Sequence, residues 1–139
     1  MAPALVFGIL LHLGLEAWWR AWQHGEGDRA LDAAVAALKH NMPDDIDPVV
    51  AVQLIALMVG YDVRWAPAME HIEVLGVEVQ FEGPLEHADD EDITAPDWRI
   101  AGKIDALVRI DGRVYVVEHK STSADLSPGG VYWLSLIHI

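Results

Sequence analysis

Asp111-Gly112 stands between two runs of mostly apolar residues, 98–110 and 113–120. Asp-Gly in that setting is the strongest short-range signal for a β-hairpin closed by a two-residue type I′ turn, because both central positions need positive φ. The turn fixes the pairing outward from it: Ile110 faces Arg113, Val108 faces Tyr115, and Asp105 faces Glu118. Opposed residues of an antiparallel pair hold their Cβ atoms about 4.5–5.5 Å apart. The hairpin therefore brings two carboxylates face to face.

Like charges in that position repel and destabilise a sheet unless a cation lies between them. Lys120 is two residues beyond Glu118 and projects from the same face, whereas His119 points to the other. Two carboxylates and an ammonium on one face suit a divalent metal with a cation beside it. Mg²⁺ prefers carboxylate oxygens and water. Bound metal acidifies its water and clamps a phosphoryl oxygen, which is what hydrolysis of a phosphodiester needs. Taken alone, an acidic pair across a hairpin is more often surface decoration. A histidine in a buried helix, such as His12, is more often a hydrogen-bonded core residue. His12 and Glu16, spaced i, i+4, can simply pair with each other.

The order of these residues resembles the PD-(D/E)XK nuclease superfamily. Ile104-Asp105 is followed by twelve residues and then Glu118-His119-Lys120, with Ile104 where the name-giving proline would stand. Within the superfamily the chain is most similar to the RecB-type branch and its phage-like exonucleases. That branch carries an upstream helix reading Phe-Gly-x-x-x-His-x-x-x-Glu, matched by Phe7, Gly8, His12 and Glu16. Gly102-Lys103-Ile104-Asp105 matches its Gly-x-x-Asp, and Glu118-His119-Lys120-Ser121-Thr122 matches its last motif. The likeness runs from residue 7 to residue 133.

The resemblance implies a restriction-endonuclease-like α/β (α+β) core, with N-terminal helices packed on a mainly antiparallel central sheet. It implies Mg²⁺ or Mn²⁺ held by Asp105 and Glu118, with His12 as a nitrogen ligand and the His119 backbone carbonyl as a further donor. Imidazole favours Mn²⁺ over Mg²⁺. Lys120 then positions the attacking water or stabilises the transition state, and Glu16 and Glu78 are accessory candidates. The implied activity is hydrolysis of DNA, as an exonuclease of recombination, repair or phage DNA processing. A helicase or recombination factor is the implied partner, and the cytoplasm of a bacterium, with a bacterial or phage gene, the implied location. The alternative is a catalytically inactive nuclease-like module that binds DNA or protein.

Composition bears on this reading from both sides. An apolar content of 53% in 139 residues suits one folded domain. The chain has no cysteine, which excludes disulfides and a cysteine-held iron–sulfur cluster within it. No run approaches the ~18 consecutive apolar residues of a membrane span, so no membrane partner is expected. A net charge of −13 opposes nucleic-acid binding. Much of that acid is local, in Asp44, Asp45 and Asp47 and between Glu82 and Asp97.

Spacing predicts helices over 7–23, 30–39 and 48–63, with Asp28 as N-cap of the second. It predicts a strand over 71–81, a solvated acidic loop over 83–96, and then the two hairpin strands. Residues 1–133 form the expected single domain, clipped at both ends. Residues 134–139, Leu-Ser-Leu-Ile-His-Ile, read as translated sequencing adapter standing where related exonucleases continue into a helix bearing Gln and Tyr.

Overall fold

The computed structural model describes residues 3–87 and 90–121. Thr122 of the last motif, Trp133 and the 134–139 tail lie outside them. Three helices come first: α1 (Pro3–Gln23), α2 (Ala30–Asn41) and α3 (Pro48–Trp65). Three strands follow, β1 (Ile72–His87), β2 (Asp90–Ile110) and β3 (Arg113–Val117), in one antiparallel sheet of order β1-β2-β3. Helices then sheet give an α+β fold of the restriction-endonuclease-like kind, as expected.

Local chemistry explains most of the boundaries. The Val49 N–H donates to the Asp47 carboxylate at 2.8 Å, and Pro48 sits at the first helical position, so α3 starts with a side-chain cap and a preset φ. The Asp28 cap does not form. Residues Gly27–Arg29 wind into a 3₁₀ turn, and Arg29 takes the cap position of α2 without a side-chain bond. The hairpin turn forms as expected, with φ of +49° at Asp111 and +78° at Gly112. Ile110 pairs with Arg113 and Val108 with Tyr115. The ladder stops at Ala106↔Val117, so β3 ends three residues before the expected Lys120.

The described residues of the acidic segment 83–96 form ribbon where a loop was expected. They continue β1 and β2, with Leu85 against Ala95 and Glu86 against Thr94. Two features reconcile its composition with a strand. Pro84 adjoins a register shift, a place where proline's missing donor is tolerated. Glu82 finds a cation across the ribbon in Arg99, at 2.5 Å.

The core lies between the helices and one face of the sheet. Trp18, Leu38, Leu54, Met58 and Val108 are fully buried there, together with Leu10 and Leu15 of α1 and Ala106 of β2. Trp18 satisfies its indole N–H on Asp62 of α3 at 2.8 Å. The opposite face of α3 is open, with Val49, Val52 and Val63 exposed. Ala4–Gln23 and Pro48–His71 are long and apolar enough to cross a membrane, a test that a core helix also passes.

These burials set the expected stability changes. Leu38→Ala removes a side chain with no solvent exposure and should cost about 2–5 kcal/mol in urea unfolding. Val52→Ala, on the open face of α3, should stay within about 0.5 kcal/mol.

Candidate active site

Asp105 lies on central strand β2, next to the buried Ala106, and its side chain is 15% exposed. The helix α1 crosses that end of the sheet and brings His12 to it. His12 Nδ1 stands 3.5 Å from Asp105 Oδ1. Gly8, one turn earlier, leaves room for a close approach: a Cβ there would come within 3.2 Å of Ser121 Oγ, so the chain leaving Lys120 passes against α1 at the glycine. The Phe-Gly-x-x-x-His pattern thus has a packing reason for its glycine and a site reason for its histidine.

His119 departs from the expectation. Strand alternation placed its ring on the face away from Asp105, but alternation ends with the ladder at Val117. One residue past Glu118 the chain turns, and the His119 N–H donates to Asp105 Oδ2 at 2.6 Å. Its ring follows, with Nδ1 3.4 Å from the same oxygen. On its other side Nε2 lies 2.9 Å from the Tyr61 hydroxyl, which accepts the Trp19 indole N–H at 3.1 Å. Tyr61 can donate its proton to Nε2, and in that tautomer Nδ1–H faces the carboxylate. A chain of contacts therefore runs from α1 through α3 to the end of β3 and onto Asp105.

Burial governs the ionisation of that chain. It lowers the His119 pKa, and His12 lowers it further; the Asp105 carboxylate opposes both. Burial also raises the Tyr61 pKa to about 12, with Asp105 adding to the rise and the bond from Trp19 opposing it. Tyr61 thus remains a neutral donor across the physiological range.

Glu118 and Lys120 pair with each other, Nζ to Oε2 at 3.1 Å, with side chains 44% and 67% exposed. The expected Asp105–Glu118 opposition falls one step beyond the last paired residues, Ala106 and Val117. Two grooves meet here. An open one of about 460 Å³ is lined by His12, Glu16, Glu78, Lys103, Asp105 and Ser121. An apolar one of about 680 Å³ is lined by Trp19, Tyr61, Trp65 and Val116 and carries Glu118 and Lys120 at its rim; His12 and Ser121 belong to both. Glu16 is held by Arg20 at 2.9 Å. Glu78 pairs with Lys103 and sits at φ +55°, a left-handed conformation that costs a non-glycine residue about 1–3 kcal/mol.

The donor set suits a hard divalent cation. Asp105 faces an imidazole across 3.5 Å, longer than a hydrogen bond and near the ~3 Å that separates neighbouring ligands of one Mg²⁺ or Mn²⁺. Glu118 is close in sequence to that point but turned to Lys120. Among the described residues no three of His, Asp and Glu stand together as a ready metal-binding group. The structure thus gathers His12, Asp105 and His119, and places Glu16 and Glu78 in the same groove. It leaves Glu118 and Lys120 at its edge.

Tyr61 supplies a test by pH. Its folded pKa lies above the ordinary value of 10, so the folded state holds its proton more tightly. That stability is complete below pH 10 and is lost as pH rises toward 12. The loss should be roughly 2–3 kcal/mol in urea titrations at rising pH, and Tyr61→Phe should remove it.

Searches of curated proteins and of solved structures returned no match. A family model described as the PD-(D/E)XK nuclease superfamily matches residues 1–132. That span covers all three helices, the whole sheet, and Asp105, Glu118 and Lys120 in the order the family's name prescribes. With that order on this fold, the chain belongs to the PD-(D/E)XK nuclease superfamily.

Proposed function

We propose that this domain is a Mg²⁺- or Mn²⁺-dependent deoxyribonuclease of the RecB type, acting as an exonuclease in recombination, repair or phage DNA processing. The family supports nuclease chemistry with a divalent metal and DNA as substrate. The observation that carries the assignment to this site is the meeting of His12 with Asp105 at 3.5 Å in an open groove. Asp105, Glu118 and His12 are the ligands in this reading, with the His119 carbonyl as a main-chain donor. Glu118 has to leave Lys120 to join them. When bound, the ion supplies Lewis-acid polarisation of a phosphate oxygen and a more acidic water.

The chain's own residues do the rest. Buried, neutral His119 donates its backbone N–H to Asp105 and keeps that carboxylate aimed at His12. Lys120, once released from Glu118, offers an ammonium to the charge that grows on the phosphoryl oxygens. Hydrolysis forms one bond from water oxygen to phosphorus and breaks one P–O ester bond, the leaving oxygen taking a proton. A helicase or recombination factor as partner and a cytoplasmic location in a bacterial or phage-infected cell complete the proposal.

One observation favours a second reading, an inactive nuclease-like module that binds DNA or protein: the ready three-ligand group is missing among the described residues. Two measurements separate the readings. In a cleavage assay on linear DNA, chelator and Asp105→Asn should each abolish activity, and Lys120→Ala should lower the rate by ~10²–10³ while Mn²⁺ binding persists. By titration calorimetry, His12→Ala should weaken Mn²⁺ binding by about 10-fold or more. Cleavage in excess chelator sinks the nuclease mechanism. Unchanged Mn²⁺ affinity in His12→Ala returns His12 to the core.

A further inference from the structure

Motif order alone makes Glu78 an accessory carboxylate and Lys103 the second residue of a Gly-x-x-Asp pattern. The sheet register relates them to the site. Val77 pairs with Ala106 and Val79 with Ile104, so Glu78 lies opposite Asp105. Both carboxylates are 15% exposed and line the same groove, with Glu16 as a third. Opposed carboxylates on neighbouring strands repel. The cation that answers them is Lys103, on the same face of β2 as Asp105 and diagonal to Glu78, whose carboxylate its ammonium binds. Among the described lining of the groove, Lys103 is the lysine or arginine present. Its side chain is 53% exposed, so solvent is open to it when it lets go.

We propose that Lys103 is the built-in counter-ion of the metal-free site: it holds Glu78 beside Asp105 and yields Glu78 to the arriving divalent cation. The idea rests on the metal-site reading above. With Glu16 already held by Arg20, the single ammonium of Lys103 balances one of the two opposed carboxylates, whereas a divalent ion brings twice the charge to the same oxygens. Lysine suits the task because its ammonium is a point charge on a flexible stem, not a fixed fork. The strained backbone at Glu78 is consistent with a side chain held in place for a ligand. Lys103 is a positioning residue in this account and touches no reacting atom.

Lys103→Gln, Lys103→Arg, Glu78→Gln and the Lys103→Gln/Glu78→Gln pair test it in two arms. In chelator, Lys103→Gln should melt several degrees below wild type and Lys103→Arg close to it. In the Glu78→Gln background, Lys103→Gln should add little. In Mn²⁺ titrations, Lys103→Gln should bind roughly 10-fold tighter, the effect of removing one unit charge about 6 Å from a divalent ion in water. Saturating Mn²⁺ should close the gap in melting temperature. Equal or weaker Mn²⁺ binding by Lys103→Gln overturns the proposal and makes Lys103 a substrate contact or a fixed support for Glu78. Failure of wild type and every variant to bind Mn²⁺ overturns the metal-site reading itself, and the chelator melts then still decide whether the ion pair exists.

Discussion

Asp105 is the point on which the parts of this domain converge. The His119 N–H binds one of its oxygens at 2.6 Å, and His12 faces the other at 3.5 Å. The first contact ties the end of β3 to β2 after the ladder has stopped. The second ties α1 to the sheet. Behind His119 stands Tyr61 of α3, and behind Tyr61 stands Trp19 of α1. A carboxylate buried to this degree is costly without partners, and here each partner comes from a different element. The helical layer and the sheet are therefore registered on one side chain, and the functional groups follow from that registration.

Charge is managed locally in a chain whose overall balance is strongly acidic. The net charge of −13 argues against a polyanion as ligand when taken as one number. Around Asp105 the balance is different in kind. Glu16 is answered by Arg20, Glu78 by Lys103 and Glu118 by Lys120. Each of these three glutamates already has its own cation, and none of the pairs is deeply buried on its basic side. With their basic ends open to solvent, such pairs exchange readily. An acidic site with exchangeable counter-ions suits a metal-dependent chemistry, since bound metal reverses the local sign.

The hairpin was readable because its cause is local. Asp111 and Gly112 supply the positive φ that the turn demands, and the pairing of Ile110, Val108 and their partners follows by counting. The three helices were readable from apolar spacing, though Asp28 lost its expected cap to a 3₁₀ turn. The ribbon over 83–96 was not, because its acids and prolines lack the apolar alternation that marks a strand, and its pairing to β1 is a property of the sheet. At the site, His12 and Asp105 were found through motif order. The ring of His119 was missed for a definite reason: alternation was extended past Val117, where no ladder enforces it. Glu78 opposite Asp105 was hidden because that register depends on a bulge near Gly76.

If His12, Asp105 and Glu118 close on one divalent cation, a crystal structure of the protein with Mn²⁺, read by anomalous diffraction, will show it. One Mn²⁺ should lie within ligand distance of His12 and Asp105, with Glu118 rotated off Lys120 to join them and His119 still bonded to Asp105. Mn²⁺ bound elsewhere, or held at Asp105 with Glu118 still on Lys120 and His12 turned away, would contradict it.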